Sequence, residues 1–133
     1  MHPSFQKSDS LTKLVIGSAI EVHSDKGPGL IESIYEWCLA CELELRGVPT
    51  SCQRTVEINY KQFVRQDPLR FDLFVDGCLL VEVKSVDAIQ PIHKAQLLSY
   101  MKLLDVPIGL LINFNVLRLS EGISRLILKN ADR

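Results

Sequence analysis

The segment Ile108-Gly109-Leu110-Leu111-Ile112-Asn113-Phe114 is almost continuously apolar and is bounded by Pro107 and Asn115. A strand without a polar face must be covered on both sides, which calls for a sheet with helical layers. A segment of helical period precedes it, from Pro91 through Ile92, Ala95, Leu98 and Met101 to about Leu104. Proline suits the first turn of that helix. The helix then acts as a crossover, and the apolar run is expected to lie parallel to an earlier strand.

The rest of the chain completes the pattern. Ser8, Asp9 and Ser10 are N-cap candidates for a first helix, with residues 1–8 a flexible tail. Leu11, Leu14, Val15, Ser18, Ala19 and Val22 recur at helical spacing up to the break at Gly27-Pro28-Gly29. A second helix carries a stripe of Ile31, Ile34, Tyr35, Cys38, Cys41 and Leu45 and stops at Gly47. The period then changes to two. Gln53 to Tyr60 alternates, and Leu69, Phe71, Leu73 and Val75 share one face of the next strand. Asp76-Gly77 marks a hairpin into Cys78–Lys84, and Ile123–Leu128 is a last strand. The order is ααβββαββ, an α/β fold with a mixed sheet and flanking helices in one domain, residues 1–133.

Lys and Arg number 15 against 16 Asp and Glu, for a net charge of −1. That excludes a protein coated in positive charge, but not a local basic patch. No apolar run approaches the roughly 20 residues of a membrane span, so no membrane partner is expected. The N-terminal residues lack the apolar core of an export signal, which places the four cysteines in a reduced, cytoplasmic compartment.

Three charges interrupt apolar strands: Asp72 in one, Glu82 and Lys84 in the next. Charge in such a place is costly unless paired or bound to a cation. Glu82 and Lys84, two apart, share a face. A three-residue loop, Val75-Asp76-Gly77, pairs Phe74 with Cys78 and Asp72 with Leu80. Asp72 and Glu82 are then diagonal neighbours roughly 7–8 Å apart. A two-residue loop separates them onto opposite faces, and Gly77 favours the longer one. Two such carboxylates suit a hard divalent cation, Mg²⁺ or Mn²⁺, with the carbonyl of Val83 as a further ligand. Lys84 beside them can orient a water or neutralise charge on a phosphoryl group. This is the chemistry of phosphodiester hydrolysis. A solvated ion pair of Asp72 or Glu82 with Lys84 or Arg70 is the alternative.

Asp72, then Glu82-Val83-Lys84, then a helix bearing Gln96 and Tyr100, resembles the PD-(D/E)XK nuclease superfamily. Within it, Gly29-Leu30-Ile31-Glu32-Ser33-Ile34-Tyr35 is similar to the signature of the GxxExxY family. The resemblance runs from about Leu14 to Leu128. It implies a RecB-like, restriction-endonuclease-like fold and a nuclease acting on nucleic acid, DNA ahead of RNA. Asp72 follows Phe71 where the eponymous motif has proline.

The resemblance also implies that Glu32 reaches the cation through water. It places Gln96 and Tyr100 toward the active site, as a catalytic support and a nucleic-acid contact. Lys94 and Lys102 become candidates for phosphate contacts. Tyr35 packs. His23 is either a metal ligand ahead of the acidic motif or a cap on its helix. Cys38 and Cys41 lie on an apolar stripe, so no iron–sulfur cluster is expected. The alternative reading is a nucleic-acid- or partner-binding module of the same fold with little cleavage of its own. A homodimer or larger complex would enlarge the small surface available for gripping a duplex.

Overall fold

The computed structural model describes residues 1–133. Helices α1 (Phe5–Lys26) and α2 (Glu32–Leu45) precede strands β1 (Thr50–Tyr60), β2 (Phe63–Val75) and β3 (Leu79–Lys84). Helix α3 (Pro91–Leu104), strand β4 (Ile108–Asn113), a short 3₁₀ turn and strand β5 (Ile123–Ile127) follow. The five strands form one sheet in the order β1-β2-β3-β4-β5. All neighbours are antiparallel except β3 and β4, which α3 connects in parallel. The expected α/β order and crossover are therefore present. No helix is long and apolar enough to cross a membrane.

Strand β4 is buried at every position, because each face of the sheet is covered. On one face Val15, Ala19 and Val22 of α1 and Tyr35, Leu39 and Leu43 of α2 meet Val81, Val83, Leu110 and Ile112. On the other, Leu97, Met101 and Leu104 of α3 meet Phe74, Leu80 and Leu111. Gly109 lets α3 approach: a Cβ there would sit 2.7 Å from the Met101 sulfur.

Four local expectations need correction. Residues 1–8 are not a free tail. Helix α1 begins at Phe5, which packs on the core, Ser8 is buried, and the His2 N–H donates to the Ala131 carbonyl at 2.8 Å. The buried stripe of α2 is Tyr35, Leu39 and Leu43, whereas Ile31, Ile34 and Leu45 are exposed. Apolar residues occur around most of α2, so its own period leaves the inward face undecided, and the sheet decides it. Strands β1 and β2 begin earlier than their alternation suggests: β1 at Thr50, which pairs with Val75, and β2 at Phe63, because the two extend outward as a ribbon. Tyr60, Phe63 and Val64 at its end are exposed.

The fourth correction sets up the site. The hairpin loop has three residues, but they are Asp76, Gly77 and Cys78, since Val75 pairs with Leu79. Asp76 and Gly77 both have positive φ, 47° and 69°. Moving the loop by one residue shifts the pairing by two, so the face is kept. Leu80 pairs with Phe74 rather than Asp72. Further along β2, Ser51 pairs with Phe74 and Gln53 with Arg70, so Cys52 alone opposes Phe71, Asp72 and Leu73. This bulge breaks the alternation: Phe71 joins the α3 side of the core, while Leu73 and Val75 join the α1–α2 side.

Candidate active site

The pairing of β2 with β3 comprises Leu73–Val81, Phe74–Leu80 and Val75–Leu79. Beyond Leu73 the strands diverge. β2 follows β1 out along the ribbon, while β3 follows β4 to the pair Lys84–Asn113. A fork of this kind leaves backbone groups without ladder partners, and buried donors of that sort are costly. Asp72 occupies the fork, and its Oδ2 accepts the Val83 N–H at 2.7 Å. A side chain thus replaces a ladder bond, and the same act fixes the carboxylate beside Glu82 and Lys84.

The electrostatics record this crowding. Burial pushes the Asp72 carboxyl up, and the Val83 N–H and the Lys84 charge pull it back. Glu82 is pushed up to about 7, first by burial and then by the charge of Asp72, with Lys84 opposing. Both carboxyls are thus held above the ordinary carboxylate range, Glu82 in part by the charge of Asp72. Lys84 lies half-buried beside both. The sequence places Asp72, Glu82, Val83 and Lys84 together, and the fold brings them together where β2 and β3 part, just beyond the pair Leu73–Val81.

Glu32 also joins the cluster, because its charge acts on Asp72 from the first turn of α2. The loop before α2 explains how it is aimed. Gly29 has φ of 93°, a backbone region that suits glycine. The hydroxyl of Tyr35 donates to the Gly27 carbonyl at 2.6 Å and accepts the Leu30 N–H at 3.0 Å. Its ring stacks on Phe114 at 4.5 Å. Tyr35 therefore packs and clamps the loop that leads into α2, where Glu32 is the first residue. Tyr35→Phe keeps the stack but strands the Leu30 N–H. A loss of about 1–3 kcal/mol in chemical denaturation is expected, and an unchanged midpoint would show that the clamp carries no load.

Two residues of the site escaped the sequence reading. Glu36 is pushed up to about 7 by burial, then by Asp72 and Glu32, so it is a fourth carboxylate of the cluster. Its signal was present: it lies four residues after Glu32, on the same helical strip. Asn113 is buried at the end of β4. Its Oδ1 accepts the N–H groups of Val86 and Asn115 at 3.1 and 3.2 Å, and its Nδ2 donates to the Val86 carbonyl at 3.0 Å. It holds the loop that leaves Lys84. A polar residue inside an apolar run was again the available signal. Ser85 ties that loop to α2's approach, donating to the Leu30 carbonyl at 2.5 Å.

The remaining candidates lie apart from these contacts. Gln96 and Tyr100 line a shallow, mostly apolar depression on α3 with Leu69, Ile92 and Leu103. Lys94 and Lys102 are exposed on the same helix. None of the four bonds to the acidic cluster. The His23 ring donates through Nε2 to the Val116 carbonyl at 2.8 Å, joining α1 to the segment after β4.

A fork between two interior strands thus carries an aspartate, with an acid-X-lysine triplet on the second strand. The family model of the PD-(D/E)XK nuclease superfamily matches residues 9–126, and the chain belongs to that superfamily. Membership points to nuclease activity on a nucleic-acid substrate, and nucleases of this class generally use divalent metals. No curated protein and no solved structure matches the chain.

No three His, Cys, Asp or Glu side chains converge as a ready-made metal cage. Mg²⁺ does not require one, since it is commonly held by one or two carboxylates together with waters and substrate phosphates. The crowded carboxylates of Asp72 and Glu82 suit that mode, because a cation relieves the repulsion that a proton otherwise relieves.

Proposed function

We propose that residues 1–133 form a single nuclease domain of the GxxExxY, RecB-like kind that hydrolyses phosphodiester bonds with Mg²⁺ or Mn²⁺, on DNA in preference to RNA. The observation that carries this reading is Asp72 fixed by the Val83 N–H in the β2–β3 fork, beside Glu82 and Lys84. Asp72 and Glu82, with the Val83 carbonyl, hold the cation, and Glu32 supports it through water. A bound divalent cation supplies a Lewis acid for the phosphoryl oxygen and a more acidic water. Lys84 orients the attacking water and offsets the charge that develops on the phosphoryl group. Gln96, Tyr100, Lys94 and Lys102 bind the substrate along α3. The restriction-endonuclease-like arrangement favours DNA. The four free thiols suit a reducing cytoplasm.

The test is cleavage of labelled single-stranded DNA, duplex DNA and RNA in Mg²⁺, in Mn²⁺ and in chelator. Cleavage in a divalent metal and none in chelator is expected, with DNA cut faster than RNA. Folded protein that binds these substrates but cuts none in either metal overturns the enzyme reading. That outcome favours a nucleic-acid- or partner-binding module, for which the exposed Tyr60, Phe63 and Val64 of the ribbon offer a contact surface. A homodimer formed there would double the grip on a duplex.

A further inference from the structure

The chain has one tryptophan, Trp37, and 69% of it is exposed on α2. A lone exposed apolar residue needs no explanation in itself. Its location does. Trp37 is one wall of an open cleft of about 370 Å³ whose lining includes Asp72 and Glu36. That volume falls in the range of small-ligand clefts, roughly 300–1,000 Å³. The start of β1 also lines it, where Thr50 and Ser51 contribute polar groups, and Ser33 adds another from α2. An exposed tryptophan, several residues with hydrogen-bonding groups and Asp72 of the candidate site thus line one space.

We infer that this cleft takes one unpaired nucleobase, stacked on Trp37, next to the phosphate presented to Asp72. The inference rests on the nuclease reading and sharpens it to single-stranded or locally unpaired nucleic acid. The occupant follows from the lining. A phosphate against Trp37 would lose hydration for an apolar surface, and Glu36 would repel it. A base has a π-face for the indole and polar edges for the hydroxyls, and carries no charge for the carboxylates to repel. A base inside a duplex presents its face to its neighbours, so only an unstacked base can use the indole.

Trp37 is also the reporter. The probe is a short oligothymidylate, titrated in Mg²⁺ against Asp72→Asn protein, with an abasic oligonucleotide of equal length and a fully paired duplex as controls. Saturable quenching of the tryptophan by the oligothymidylate is expected, with little from either control. Labelled-oligothymidylate anisotropy should show binding weakened about tenfold to a hundredfold by Trp37→Ala and much less by Trp37→Phe. Because Trp37 is exposed, both variants should fold, and melting confirms it. Equal quenching by the abasic or duplex controls, or unchanged affinity in Trp37→Ala, overturns the inference. Quenching without any cleavage by the parent protein rejects the nuclease reading and leaves the base site standing. Cleavage without quenching does the reverse.

Discussion

Lys84→Ala and Asp72→Asn are expected to fold normally and to lose about two to three orders of magnitude in cleavage rate. Lys84 is half-buried near Asp72 and Glu82, and its charge pulls both carboxyls back down. On the proposed mechanism, removing it takes away the positive charge that would offset charge developing on the phosphoryl group. Asparagine at 72 keeps an oxygen that can accept the Val83 N–H, now 2.7 Å from the aspartate, so the fork stays closed while the charge is lost. Asp72→Ala differs in kind. It abolishes cleavage equally, but it also leaves a buried N–H unpaired at a cost of about 1–3 kcal/mol. Single-turnover cleavage and urea melts on the three variants separate the two roles. Near-parental cleavage by Lys84→Ala would remove it from the chemistry. Equal stability of the alanine and asparagine variants at 72 would remove the Val83 bond from the fold.

The double role of Asp72 also explains how much of this site was legible. A charge in an apolar strand is visible in any sequence, and Asp72, Glu82 and Lys84 were found that way. The fork was not visible. It depends on a bulge in which Cys52 opposes three residues, and no periodicity reports a bulge on a partner strand. The pairing register was legible in parity but not in position, since Gly77 occupies a positive-φ place in either loop. In α2 the reverse holds. The family resemblance of Gly29 to Tyr35 points to a functional unit, while periodicity puts Ile31, Ile34 and Leu45 on the buried face although they are exposed. Glu36 went unnoticed for a related reason: a glutamate on a helix is ordinary until a strand delivers Asp72 opposite it. Periodicity gave the layers and the order of elements. What it omits is where two strands part, and the site is built at that parting.

The same crowding predicts how the metal-free protein responds to pH. Glu82 is pushed from an ordinary 4.5 up to about 7 in the folded state, by burial and by Asp72. Between those values the folded state holds a proton that the unfolded chain has released. Stability therefore falls as pH rises through this window, the reverse of the usual carboxylate in an ion pair. The loss is on the order of 2 kcal/mol, about 6 °C in melting temperature, between pH 5 and pH 8 in chelator. Glu82→Gln, with no charge to bury, should melt near the parent at pH 5 and above it at pH 8, which isolates this group from other titrations. Mg²⁺ should stabilise the parent at pH 8, where the carboxylates are bare. At pH 5 the proton already fills the place and little stabilisation is expected, and Glu82→Gln should lose most of it at either pH. A parent whose margin over Glu82→Gln is the same at both pH values would mean that Glu82 titrates as an ordinary surface carboxylate. Stabilisation by Mg²⁺ of equal size at pH 5 and pH 8 would mean that the cation binds elsewhere. If both expectations hold, proton and metal compete for one place, and the fork that strains the protein without a cation is the feature that prepares it to bind one.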